Sequence, residues 1–231
     1  QQNTTLAEEG NQITSSLSSE QEQSTPGDSR HIGKYGFAYA KATVSSSNMF
    51  AKFTLKHTMA YVKFTISSKE FSAYKLKSVS LYDKETQTPL SGTFTADLDK
   101  DELAFGTGKK PYATVSLTKP ETLSSAQDVY LTTYPADLTD KEVYIVITLE
   151  NDLQTVTIPI LKEGKQLKAN AVNVITINDL KLSDNSCDWY EPVETRLLAG
   201  GWAYGESNCI MTNISTSGIN NTISVKARGN F

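Results

Sequence analysis

Apolar residues recur at every second position through most of this chain, most clearly from residue 50 onward in FAKFTLKHTMAYVKFTI. Ala51, Phe53 and Leu55 share one parity, and Ala60, Val62, Phe64 and Ile66 share another. Side chains of an extended strand point alternately to two faces, so each stretch predicts a half-buried strand. Tyr35, Phe37 and Tyr39 predict a short earlier strand. Tyr74 and Leu76 change parity to Val79 and Leu81, which predicts a bulge, because one inserted residue moves the apolar set to the other face. Further strands are expected at 93–96, at Ala113, Val115 and Leu117, and at Val129, Leu131 and Thr133. Val143, Ile145, Ile147 and Leu149 give the cleanest alternation. Turn chemistry at 150–152 then returns the chain through Val156, Ile158 and Ile160 as a hairpin. Val172, Val174 and Thr176 close the series. Strands with interleaved turns and no helical stripe predict an all-β fold, an antiparallel β-sandwich of the transthyretin-like or immunoglobulin-like kind.

Composition divides the chain. Residues 1–30 are polar and of low complexity and read as a tether or as the tail end of a domain that begins earlier, so 1–48 is expected to hold this tether and the end of an N-terminal domain. Residues 49–182 carry the sandwich. Residues 183–231 form a C-terminal extension, or the start of another domain, with a last alternation at Ile223, Val225 and Ala227. That terminal strand has no hairpin partner in sequence. The chain opens on Gln1, which leads us to expect a processed or trimmed N-terminus.

The chain has 231 residues, 38% hydrophobic and 21% charged, with a net charge of -4. This suits a globular protein and lacks the basic stripe of a nucleic-acid binder, so no nucleic-acid partner is expected. No apolar run approaches the roughly 18 residues that span a bilayer as a helix. The two cysteines, Cys187 and Cys209, are either reduced or bridged. A bridge would close a loop of about 20 residues and stabilise it by roughly 3 kcal/mol. Neither lies in a metal-ligand spacing, and no metal or cofactor is expected. The two histidines, His31 and His57, sit in no catalytic signature, and Asp97, Asp99 and Asp101 open like a calcium loop that then fails at Glu102 and Gly108. No enzyme is expected. Trp189, Tyr190, Trp202 and Tyr204 are candidate glycan-stacking aromatics or the buried cap of a sandwich.

Residues 53–64, FTLKHTMAYVKF, resemble the strand, histidine and second strand that open the C-terminal sandwich of the fimbrillin family, surface proteins of type V pili. Residues 76–81, Val129 to Leu131 with Pro135, and LKANAVNVITINDL at 167–180 resemble that family's later strands. Residues 20–23 with 31–40 resemble the end of its N-terminal domain, and 208–211 an Asn-Cys strand of its larger members. The resemblance implies a pilus subunit or fimbrillin-like adhesin, exported to the outer membrane or fimbrium and held to the membrane only through an upstream lipid anchor. It implies assembly by β-strand complementation, with Ile223, Val225 and Ala227 as candidate donor residues. It also implies cleavage after a basic residue in an exposed N-terminal segment, for which Arg30 is the candidate. Expected partners are other pilin-like subunits or host and bacterial surface ligands. A glycan-binding surface lipoprotein module is the alternative.

Overall fold

The structure is a computed structural model, and it describes residues 4–7, 10–42, 46, 50–83, 86–139, 141, 143–150, 154–157 and 166–180. The strands are β1 (Thr5–Leu6), β2 (Gln12–Leu17), β3 (Glu20–Gln23), β4 (Ala38–Tyr39), β5 (Lys56–His57), β6 (Ala60–Ile66), β7 (Leu76–Tyr82) and β8 (Gly92–Asp97). They continue as β9 (Glu102–Phe105), β10 (Tyr112–Leu117), β11 (Gln127–Thr133), β12 (Ala136–Asp137), β13 (Tyr144–Leu149), β14 (Gln154–Thr157), β15 (Gln166–Leu167) and β16 (Val172–Ile177). One helical turn, α1, spans Ile32–Tyr35.

Two sheets face each other across the main core. The order β14-β13-β7-β10-β3 forms one, and β11-β6-β16 the other. Val62, Phe64 and Ile66 of β6 with Val129 and Leu131 of β11 meet Val79, Leu81, Val115, Ile145 and Ile147 of the opposing sheet. These are the parities that the alternation predicts. The fold is therefore an all-β sandwich. The expected bulge is present: Ser78 pairs with Thr148 while Leu76 pairs with Leu149, leaving Lys77 as the extra residue on β7. The expected hairpin joins β13 to β14 in antiparallel register, Val146 opposite Val156. Residues 151–153, Ile158 and Ile160 lie outside the described residues.

A third sheet, β1-β2-β8-β9, covers a smaller core of Leu17, Tyr35, Tyr39, Met59, Phe94, Ala96 and Tyr134. Tyr134 is fully buried, with Phe94 edge-on at 5.6 Å and Phe105 at 4.7 Å between ring centroids. Its hydroxyl donates to the Gly92 carbonyl, which fixes the ring against the start of β8. Gly92 has φ +106, and a Cβ there would lie 2.1 Å from the Gly108 carbonyl oxygen, so only glycine fits.

Four sequence expectations are corrected. Residues 12–23 are strands rather than tether, with β2 pairing β8 and β3 pairing β10. Their polar composition hides the signal because Ser15, Gln21 and Gln23 are buried by hydrogen bonding rather than by apolarity. Tyr35 closes a helical turn instead of a strand, leaving Tyr39 in the two-residue β4. Residues 51–55 form no strand: no described strand pairs with them, and Phe53 and Leu55 are 62% and 64% exposed. Finally, β16 runs parallel to β6 where an antiparallel neighbour is expected, with Val172 and Val174 outward, both 58% exposed, and Ile175 and Ile177 packed toward the core. The pairing of β3 with β10 is parallel as well, so the sandwich is not purely antiparallel.

Phe64→Ala should cost about 3–5 kcal/mol of unfolding free energy, the range for a fully buried phenylalanine. Val172→Ala should change it by less than about 0.5 kcal/mol, as for a surface position. Urea titration of both variants checks the inward and outward assignments together.

Candidate functional site: the two lateral edges of the sandwich

Every sheet ends in a strand whose outer backbone groups need a partner, and the two sides of this sandwich meet that need differently. On one side β11 ends the three-stranded sheet and β3 the five-stranded one. Backbone groups of alternate residues on β11 point away from β6. The carbonyls of Asp128, Tyr130 and Thr132 and the N–H groups of Tyr130 and Thr132 are all bonded, none of them to the backbone of another strand. Gln21 Nε2 donates to the Thr132 carbonyl at 2.7 Å, while its Oε1 accepts from Thr132 N–H at 3.0 Å. Gln23 bridges two residues farther along: Nε2 donates to the Asp128 carbonyl at 3.0 Å, and Oε1 accepts from Tyr130 N–H at 2.8 Å. His31 Nε2 lies 2.8 Å from the Tyr130 carbonyl, and Gly27 N–H donates to the Asp128 carbonyl at 2.8 Å.

The match follows from geometry. Strands rise about 3.3 Å per residue, so side chains at i and i+2 on β3 step along its neighbour at the spacing of that neighbour's alternate edge groups. A primary amide carries both a donor and an acceptor at its tip, which is what a backbone edge presents. Gln21 and Gln23 are 1% and 0% exposed, a burial that polar side chains reach when fully bonded. The outer edge of β3 is capped too. Glu20 N–H donates to Ser18 Oγ at 3.3 Å, Ser18 Oγ donates to the Glu20 carbonyl at 2.6 Å, and Glu22 N–H donates to the Tyr35 hydroxyl at 3.0 Å. Ser18, Glu20, Glu22, Lys34, Tyr35 and Ser116 line an open polar groove alongside.

The opposite side is different. Tyr61 N–H donates to the Ala171 carbonyl and Ser67 N–H to the Ile177 carbonyl, so the odd residues of β16 face β6. The backbone groups of Val172, Val174 and Thr176 therefore face outward, and no hydrogen bond caps them among the described residues. Above and below this edge stand exposed Val172 and Val174 and the half-buried Ile175 and Ile177.

Arg30 lies in the segment between β3 and α1, its side chain 88% exposed and paired with Asp28 at 2.7 Å. Asp28 also accepts from Arg30 N–H at 3.0 Å. These contacts, with the Arg30 side-chain hydrogen bond foremost, lower the Asp28 pKa to about 2, so the lock stays charged until the pH falls toward that value. On the outer face of β11, burial raises the Asp128 carboxyl, but hydrogen bonds from Lys63 and Thr65 outweigh it and hold the group below its ordinary value.

The Asp97 to Asp101 turn is occupied by its own neighbours. Asp97 accepts from the backbone of Asp99 and Lys100, Asp99 pairs with Lys41, and Asp101 takes both Lys56 and the Tyr39 hydroxyl. His57 is exposed in β5. Among the described residues no group of histidine, cysteine and carboxylate is arranged to hold a metal. Cys187, Cys209, Trp189, Tyr190, Trp202, Tyr204, Ile223, Val225 and Ala227 all lie outside the described residues. The glutamine cap was missed by sequence reasoning, although its signal, buried-parity glutamines in the alternating run EQEQ, stands at 20–23.

Gln23→Ala should lower stability by about 1–3 kcal/mol, because it leaves buried backbone groups of β11 without partners. Exposed Gln12→Ala serves as the neutral comparison in urea unfolding.

No protein-family model and no curated protein matches the chain. Among solved structures it is similar to a "putative cell adhesion protein" of Bacteroides uniformis, at 14% identity and TM-score 0.48, over 77% of this chain and 63% of that one. A second such protein, of Bacteroides ovatus, matches at 12% identity and TM-score 0.40, over 72% and 62%. A fimbrial protein of Bacteroides ovatus matches at 17% identity and TM-score 0.29, over 74% and 31%. The chain spans less than two thirds of the length of each.

Proposed function

We propose that this chain is a structural or adhesive cell-surface protein, a pilus subunit or fimbrillin-like adhesin, that assembles by accepting a strand along β16. Its role is contact with other pilin-like subunits or surface ligands rather than catalysis. The observation that carries this reading is the open β16 edge, with outward backbone at three alternate residues and apolar side chains on both sides of it. Added strands gain affinity from backbone bonds and specificity from alternate side chains.

Magnitudes decide which part matters. Ordering a six-residue donor costs about 6–12 kcal/mol of backbone entropy. Five or six new ladder bonds return about 1 kcal/mol each. The remainder has to come from apolar side chains, at about 1.5–3 kcal/mol for each large one buried. Ile223 and Val225 supply two such side chains and Ala227 a smaller one, and we assign the three as the donor. Val174→Pro tests the acceptor, since the lost N–H points away from β6 and the ring blocks an incoming strand. The variant should keep its circular dichroism and lose assembly, as should deletion of 222–231. Full assembly by Val174→Pro would refute the acceptor.

Arg30 is our candidate processing site. A protease needs several extended residues, and the Asp28 pair with the anchors at Gly27 and His31 holds this segment, so cleavage requires local opening. Asp28→Ala should speed the cut by an arginine-specific protease several-fold, and Arg30→Ala should abolish it, with mass spectrometry identifying fragment 1–30. An Asp28→Ala protein left uncut after Arg30 contradicts the assignment.

A further inference from the structure

A bare strand edge recruits any chain able to complete its ladder, a second copy of itself included. The edge of β11 is suited to that. Its outward groups centre on Tyr130, so two copies related by a two-fold axis would pair Tyr130 with Tyr130 and Asp128 with Thr132, antiparallel and self-complementary. The two glutamine amides already occupy most of these positions, each with one donor and one acceptor bond to β11 between 2.7 and 3.0 Å, and His31 Nε2 lies 2.8 Å from the remaining Tyr130 carbonyl. They bring the hydrogen bonds of a neighbouring strand without its exposed far edge, so the ladder stops there.

We infer that Gln21 and Gln23 determine interaction specificity, filling the strand positions along β11 so that a second copy of this chain is kept off that edge. The part of the inference that leaves β16 to receive the partner rests on the proposed assembly; the exclusion at β11 does not. The choice of glutamine follows from chemistry. Glutamate at position 21 would accept from Thr132 N–H but face the Thr132 carbonyl with a carboxylate, and a shorter asparagine would fall one methylene short.

The test replaces both amides by a side chain of similar length without hydrogen bonds, Gln21→Met with Gln23→Met. In sedimentation velocity, with Val174→Pro present in both proteins to block assembly at β16, the folded double variant should gain a concentration-dependent dimer that its parent lacks. Adding Tyr130→Pro, which removes an outward N–H, should dissolve it. A folded double variant that sediments as its parent does at every concentration overturns the inference. A dimer formed in this background and dissolved by Tyr130→Pro has its seat at β11 whatever becomes of the β16 reading. Should the double variant not fold, the wild type decides. The side-chain NH2 protons of Gln21 and Gln23 should exchange with solvent at least about tenfold more slowly than those of exposed Gln12. Equal rates overturn it.

Discussion

Backbone amide and carbonyl groups at the margins of a sheet are the constraint around which this molecule is arranged. A buried peptide group without a partner costs as much as a lost hydrogen bond, and a sandwich has four such margins. On the side of β3 and β11 the requirement is met by side chains: two glutamine amides, a serine, a tyrosine and a histidine. The segment that provides them, residues 12–35, also ties the two cores together. Its β2 half lies in the sheet over Phe94 and Tyr134, and its β3 half closes the five-stranded sheet. The residues that hold the N-terminal segment in place thereby also cap an edge.

The main core needs no special device. Its two sheets meet through apolar side chains of period two, and the central strands are buried on both faces. In β13 the inward Ile145 and Ile147 alternate with Tyr144, Val146 and Thr148, which are also buried. The side opposite the cap has β16 at its margin, where the same period leaves valines in solvent and isoleucines half-covered. Among the described residues one margin is thus capped by side chains and the other is not.

How much of this could be read in the sequence depends on what kind of burial each element uses. Strands buried by apolar contact, such as β6, β7, β11 and β13, declare themselves by alternation, and even the bulge at Lys77 is visible as a change of parity. Elements buried by hydrogen bonding do not: Gln21 and Gln23 look like a solvated tail until their amides are seen against β11. The opposite error arises at 51–55, where alternation is present but no neighbouring strand is, and a strand is defined by its ladder rather than its pattern. At β16 the alternation marks Val172, Val174 and Thr176, whereas the parallel register with β6 puts Ile175 and Ile177 on the core side. The aromatic, cysteine and terminal-strand assignments beyond residue 180 stand on sequence alone.

Residue-resolved amide hydrogen exchange on the unassembled wild-type protein tests the asymmetry of the two margins most directly. The account predicts strong protection at Tyr130 and Thr132, whose N–H groups are held by glutamine side chains, beside rapid exchange at Val172, Val174 and Thr176. Equal protection on both sides, or fast exchange at Tyr130 and Thr132, would contradict it.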